Sequence, residues 1–258
     1  MQKLVLITGA SSGIGQSLAL HYARQGYRLA LLARRADTMK TWLDASGIST
    51  NSYQIYSADV TDVDCMASAA QHCLACQGVP DVVIANAGIS VGVDCACRQD
   101  IDVINRIFAT NVTGVAATFS PFIGAMVARG SGTLVGIASV AGIRGLPGHA
   151  GYCASKAAVI SYCESLRGEL RSSGVKVVTV CPGYIATPLT RNNAYKMPFL
   201  MPADSFAQKA FRVIESQKSY CVIPWQMGVV AKLLRLLPNA WFDRLLAGRP
   251  RKPRSAEI

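Results

Sequence analysis

Short, continuously apolar runs alternate along this chain with longer stretches in which apolar positions recur at helical spacing. The runs are residues 4–7, 29–33, 53–57, 82–85, 133–137, 175–180 and 220–223, most of them rich in Val, Ile and Leu. Unbroken rather than alternating apolarity predicts strands covered on both faces. Between most of them, residues 14–25, 37–45, 63–76, 101–127 and 152–172 have the period and length of crossover helices. Repeated strand–helix–strand units predict an α/β fold, a doubly wound parallel sheet of about seven strands with helices on both faces. No repeat of fixed period, low-complexity tract or Gly/Ser linker divides the chain. Residues 1–224 are therefore expected to form one Rossmann-type domain. Its irregular, proline-rich loop at 183–205 is placed to cover a ligand, and an amphipathic basic extension follows at 225–258.

Composition adjusts this picture in a few places. A chain of 258 residues, 51% apolar and 16% charged, can bury the core of such a domain. Nowhere do about 18 apolar residues follow one another without interruption, and Met1-Gln-Lys leads directly into the first strand, so neither a spanning helix nor an export segment is expected. A cytoplasmic location and reduced thiols follow for the nine cysteines. Cys73-x-x-Cys76 and Cys95-x-Cys97 look like halves of a metal site, but no histidine lies near the second pair, and no metal is expected. The formal net charge is +11. Part of it comes from the tail, where Lys232, Arg235, Arg244, Arg249, Arg251, Lys252 and Arg254 are set against Asp243 and Glu257. The chain carries no recognisable nucleic-acid module, which leaves an anionic membrane surface as the better-matched partner for that charge.

Candidate chemistry sits at three places. Immediately after the first strand comes Gly9-Ala-Ser11-Ser12-Gly13-Ile14-Gly15, opening the first helix. Gly9 permits a tight turn, Gly13 allows a pyrophosphate to approach, and Gly15 lets helix and strand pack closely, with the helix N-terminus facing the anion. At the end of the second strand, where an acid would chelate the ribose of NAD, the chain has Arg34 and Arg35. Two guanidiniums can hold a 2′-phosphate that a carboxylate would repel, which predicts NADP(H) as cofactor. Finally, Tyr152 and Lys156 lie four residues apart on one helical face. An ammonium beside a phenol stabilises the phenolate, so a lowered Tyr152 pKa is expected.

Taken in order, Thr8-Gly-x-x-x-Gly-x-Gly15, Asn86-Ala87-Gly88, Ser139 and Tyr152-x-x-x-Lys156 resemble the short-chain dehydrogenase/reductase family. Asp59-Val60, Asn111 and Pro182-Gly183-Tyr-Ile185-Ala-Thr187 extend the resemblance, which runs from about Lys3 to Thr187. The resemblance implies hydride transfer between NADP(H) and a carbonyl or secondary alcohol. Tyr152 would be the acid or base, Ser139 would polarise the carbonyl, and Lys156 would hold the nicotinamide ribose and, together with the positive charge of the oxidised nicotinamide, lower the Tyr152 pKa. Asn111 would hold a water linking Lys156 to solvent. It further implies that Asp59 and Val60 lie at the adenine, that Asn86, Ala87 and Gly88 line the cofactor and steady the central strands, and that Pro182, Gly183, Ile185 and Thr187 approach the nicotinamide. Two departures are visible: Ala85 where a second Asn is frequent, and Ser12 where NADP-preferring members often carry a basic residue. Cofactor choice is thus left to Arg34 and Arg35. The competing class is a dinucleotide-sensing or regulatory protein, which would not need Tyr152, Ser139 and Lys156 together.

Beyond Thr187 the resemblance stops. Tyr184, Leu189, Tyr195, Met197, Phe199, Leu200, Met201 and Phe206 suit a lipophilic substrate, or else they pack the loop onto the domain. From Trp225 two short helices with apolar faces, Trp225 and Trp241, and flanking cations fit a bilayer surface, a homo-oligomer interface or simple core packing.

Overall fold

A computed structural model of the chain describes residues 2–191, 193, 195–248 and 250–254. Strands β1 (Leu4–Thr8), β2 (Arg28–Ala33), β3 (Tyr53–Ser57), β4 (Val82–Ala85), β5 (Gly132–Ile137) and β6 (Val175–Pro182) are joined by helical crossovers. Two short strands, β7 (Ile185–Ala186) and β8 (Met201–Pro202), pair with each other, and β9 (Tyr220–Ile223) returns to the main sheet. That sheet is parallel throughout, in the order β3-β2-β1-β4-β5-β6-β9. Growth from β1 proceeds first toward β3 and then, from β4 onward, the other way. The crevice beyond the carboxyl ends of β1 and β4 is therefore the topological switch point, where ligands of such sheets bind.

Side chains of one strand alternate between two buried layers. Leu4, Leu6, Val83 and Leu134 point to one face, against α3 (Val63–Cys76), α5 (Gly114–Arg129) and α6 (Ala150–Glu169). Val5, Ile7, Ile84 and Val135 point to the other, against α1 (Gly13–Arg24), α2 (Ala36–Ser46) and α7 (Ala203–Glu215). Each fully buried aliphatic side chain contributes about 1.5–3 kcal/mol, so both faces are held strongly. The long helix predicted at 101–127 runs over Asp100–Arg129, by length and composition enough to cross a membrane. Its Phe119, Phe122 and Met126 are instead buried against the sheet. Between α4 (Asp100–Phe108) and α5 its regular turn widens at Ala109–Thr113, and this π turn carries the buried Asn111. Such local widening re-aims side chains and is frequent at functional sites.

The C-terminal extension folds onto the domain. In α8 (Trp225–Leu236), Met227, Gly228 and Ala231 are buried, as are Phe242 and Leu246 in α9 (Asn239–Leu246). Arg144 clamps both helices: its guanidinium donates to the carbonyls of Leu234 and Leu237 and to Asn239 Oδ1, and stacks 3.8 Å over the Phe242 ring. Carbonyls at the end of a helix lack partners within it, so this arginine acts as a tertiary cap. On the outer face Trp225, Leu233, Leu236 and Trp241 remain exposed.

Candidate active site

The glycine turn occupies the switch point. Gly9 and Gly13 adopt φ of +67° and +59°, a region that residues with a Cβ enter only at a cost. Gly15 is required by proximity, since an added methyl would run into the Gly9 carbonyl and come within 2.6 Å of Asn86 Nδ2. Asn86 ties β4 to the end of β1: its amide donates to the Thr8 carbonyl (3.0 Å), while Thr8 Oγ1 accepts from the backbone N–H groups of Asn86 (3.1 Å) and Ala87 (3.2 Å). Thr8, at the head of the glycine motif, thus fastens the two central strands. Ser12 is extended and provides no side-chain cap to α1, leaving first-turn N–H groups available to an anion. Over Gly13 lies Thr187, whose side chain would be 3.3 Å from an added Cβ.

Arg34, Arg35, Asp59 and Val60 line the adjoining stretch of the same cleft, which has a volume of about 520 Å³. The Arg34 guanidinium is 3.6 Å from the Asp59 carboxylate, and Arg34 is 71% exposed. An ion pair so accessible is worth about 0–1 kcal/mol, so Arg34 is not locked to Asp59 and can turn to a phosphate. Gly88, Pro182, Gly183 and Ile185 complete the middle of the cleft.

Ser139, Tyr152 and Lys156 stand on the wall formed by the end of β5 and the start of α6. Lys156 is 4% exposed and donates to the Ile137 carbonyl at 2.8 Å, with its ammonium 5.9 Å from the Tyr152 ring centre. Asn111 accepts from the Ile89 N–H (2.8 Å) and donates to the Ile89 carbonyl and to Ser155 Oγ (both 3.0 Å). Ser155 in turn donates to the Tyr152 carbonyl (2.8 Å), so the π turn reaches the start of α6 through a serine that sequence reasoning passed over. Around Gly88 an added Cβ would sit 3.2 Å from Asn111 Oδ1 and 3.5 Å from Lys156 Nζ, which brings those two groups together. Ser139 Oγ also accepts from the Ala141 N–H at 3.1 Å, capping the following turn.

One electrostatic expectation is corrected. Burial pushes Tyr152 up to about 12, against the pull of the neighbouring Ser139 hydroxyl, and Lys156 does not lower it. Burial also brings Lys156 down to about 8, with its near protein partner being a neutral carbonyl. Desolvation outweighs the proximity of phenol and amine, because each charge would have to form away from water.

Beyond this wall the loop residues separate. Tyr184, Leu189 and Tyr195 line the cleft, Met201 and Phe206 are buried beneath the loop, and Phe199 and Leu200 face outward. Met197 accepts a hydrogen bond from Asn193 Nδ2 at 3.4 Å. His149, 7% exposed, joins the lining, its Nε2 3.2 Å from the Tyr195 hydroxyl. So does Lys252 from the basic tail. Arg249 and Glu257 lie outside the described residues. The last described segment crosses this end of the cleft: Gly92 N–H donates to the Pro253 carbonyl at 3.0 Å, and Arg254 grips Asp100 with bonds of 2.8 and 3.0 Å. Among the described residues no group of three or more His, Cys, Asp and Glu side chains is placed to hold a metal.

A parallel sheet with a glycine turn at its switch point, and with tyrosine, lysine and serine on the facing wall, defines a dinucleotide-binding oxidoreductase. Residues 3–197 match the short chain dehydrogenase family. An uncharacterized oxidoreductase of Myxococcus xanthus is 39% identical over 241 residues, covering 93% of this chain and 95% of that protein. Among solved structures, ElxO with NADP bound aligns with a TM-score of 0.78 at 24% identity, over 86% of this chain and 97% of its own. The 3-ketoacyl-(acyl-carrier-protein) reductase of Brucella melitensis complexed with NADH aligns with a TM-score of 0.77 at 25% identity, over 86% and 96%. The chain belongs to the short-chain dehydrogenase family of oxidoreductases, as its ordered motifs implied.

Proposed function

We propose that the protein is an NADP(H)-dependent carbonyl reductase, running in reverse as a secondary-alcohol dehydrogenase, with an apolar substrate. One observation carries the reading: a single cleft has the Tyr152 phenol, Ser139 hydroxyl and Lys156 ammonium on one wall and Arg34 and Arg35 at its far end. A dinucleotide suits the residues present, because the helix N-terminus is uncapped, Gly9 and Gly13 provide the turn, and the two arginines can meet a 2′-phosphate. When bound, the nicotinamide supplies or accepts a hydride.

The chain's own groups do the remainder. Ser139 Oγ–H donates to the carbonyl oxygen, where negative charge develops. Tyr152 delivers the proton from its hydroxyl to that oxygen. A phenol held up at about 12 stays protonated at neutral pH and so has a proton to give. Lys156 is cationic below about 8 and offers its remaining N–H donors to ribose hydroxyls. Asn111 and Ser155 position the backbone of the first turn of α6. A purely dinucleotide-sensing protein would have no use for this wall, which favours the enzyme.

Tyr152→Phe tests the assignment. Turnover with NADPH should fall at least about a hundredfold while NADPH still binds. Replacing both Arg34 and Arg35 by alanine should erase any preference for NADPH over NADH. Unchanged turnover in the first, or unchanged preference in the second, rejects the corresponding role.

The outer face of α8 and α9 supports a second, spatially separate reading: contact of a cytoplasmic protein with an anionic membrane surface. Exposed Trp225, Leu236 and Trp241 lie near Lys232, Arg235 and Arg244 in the chain, a combination suited to the lipid interface. Trp225→Ala/Trp241→Ala should reduce co-flotation with phosphatidylserine liposomes. Unchanged flotation, with a dimer lost on gel filtration, would give that face to a homo-oligomer instead.

A further inference from the structure

The C-terminal strap is built into the substrate end of the cleft. Three features far from it in sequence receive it. Gly92 lies so close beneath it that an added methyl would strike the carbonyls of Lys252 and Pro253. Gly148, at φ +76°, would place a Cβ 3.0 Å from the Arg251 side chain. Asp100, 4% exposed, receives both Arg254 bonds. These contacts fix the strap without help from Lys252. Yet Lys252 turns inward, its Nζ donating to Ser90 Oγ and to the Leu189 carbonyl, each at 3.1 Å.

An inward ammonium calls for a counter-charge. Among the described residues no carboxylate forms an ion pair with Lys252. Among the described residues that line the cleft Asp59 is the one carboxylate, and it faces Arg34 at the other end. Asp100 is already neutralised by Arg254. His149 adds no negative charge, and Lys252 itself helps to keep it from protonating, after the larger effect of burial. Burial likewise brings Lys252 down to about 8, so it is a cation at neutral pH that is short of solvent. Two of its three protons are used by neutral oxygens, leaving one donor. Leu146, Tyr184, Leu189 and Tyr195 give the same cleft apolar and aromatic lining.

We propose that Lys252, with Ser90 beside it, forms an anion subsite at the substrate end of the cleft, so that the preferred carbonyl compound carries a carboxylate or phosphate on an apolar body. This rests on the reductase reading for the reaction, but the subsite itself can be tested without turnover. The same chemistry could serve a phosphate of the cofactor, and the measurements separate the two sources.

The full chain and its Lys252→Met and Lys252→Arg variants are assayed with NADPH on the methyl ketone 9-oxodecanoate and on its methyl ester. The wild type should prefer the acid by about tenfold or more in kcat/KM, as expected for an ion pair shielded from water. Lys252→Met should abolish most of that ratio, Lys252→Arg should retain a large part, and the NADPH Kd should stay within about twofold, the loss of a cofactor phosphate contact being larger. Equal rates on acid and ester in the wild type, or an unchanged ratio in Lys252→Met, overturn the proposal. So does a weakened NADPH Kd with an unchanged ratio, which would assign Lys252 to the cofactor. Should neither ketone be reduced, calorimetry of decanoate against decanamide decides. Decanoate binding that Lys252→Met removes upholds the subsite while the reductase reading falls, and equal binding of the two compounds overturns the subsite.

Discussion

The two ends of the cleft are made in different ways. At the dinucleotide end the determinants of the phosphate-binding turn are backbone: positive φ at Gly9 and Gly13, the missing Cβ of Gly15, and N–H groups at the start of α1. They lie within one strand, turn and helix, and they serve a ligand portion common to a whole family of enzymes. At the substrate end the determinants are side chains brought from Ser90, Leu146, His149, Tyr184, Tyr195 and Lys252. No two neighbouring elements supply them all, so each can change without disturbing the sheet. The comparison teaches where tolerance lies: at Gly15 even a methyl group is intolerable, while at the other end that constraint falls on the glycines under the strap and the groups that face the cleft are side chains.

The most damaging way to test this is at Gly15. Gly15→Ala forces its methyl against the Gly9 carbonyl and the Asn86 amide, both held by the central strands. Overpacking of this kind costs about 1–3 kcal/mol, and the turn that yields is the one that receives the cofactor. A lower unfolding midpoint in urea and at least a tenfold weaker NADPH Kd are expected, about the equilibrium equivalent of 1.4 kcal/mol. Gly124→Ala is the control. In α5 its Cβ meets nothing within 4 Å, and the exchange should stabilise the chain by about 0.5–1 kcal/mol through helix propensity alone. If Gly15→Ala behaved like Gly124→Ala, the claim that backbone proximity builds the dinucleotide end would fail.

The same contrast explains what could be read before folding. Strands 53–57, 82–85 and 220–223 coincide with β3, β4 and β9, and the glycine turn, Asn86 and the Tyr152/Lys156 pair fall together, because each is encoded over a few consecutive residues. Other elements were legible yet unread. Phe206, Ala207, Ala210 and Ile214 recur at helical spacing and form the buried face of α7, which the proline-rich stretch before it obscured. The π turn at Asn111 leaves no periodic mark, since the apolar pattern continues through it. Least legible was the strap: Lys252 meets Ser90 across 162 residues and Arg254 meets Asp100 across 154, and a basic tail in sequence looks the same whether it faces lipid or its own active site. The pKa correction has the same origin. Spacing placed Lys156 beside Tyr152, but burial, which only the fold defines, set both titrations.

A gentler change sharpens the comparison at the substrate end. Arg254→Gln removes the charge that holds the strap while leaving the Gly92 to Pro253 backbone bond in place. Substrate KM should rise about two- to fivefold, the range for partly exposed ion pairs, with NADPH affinity unaltered. The wild type should approach that behaviour in acid. Hydrogen bonds from Arg254, then the Asp94 N–H, hold the Asp100 carboxyl below its usual pKa. The contribution of this pair to the docked strap is therefore complete above the ordinary aspartate value of about 3.9 and disappears as pH falls through the depressed folded one. Amide hydrogen exchange at Gly92 reads the docking directly. It should speed up in Arg254→Gln at neutral pH, and in the wild type, after correction for intrinsic rates, only below about pH 4. Protection at Gly92 that is the same in both proteins would show that Arg254 does not hold the strap, and would leave the backbone bond and the fit against Gly148 as its anchors.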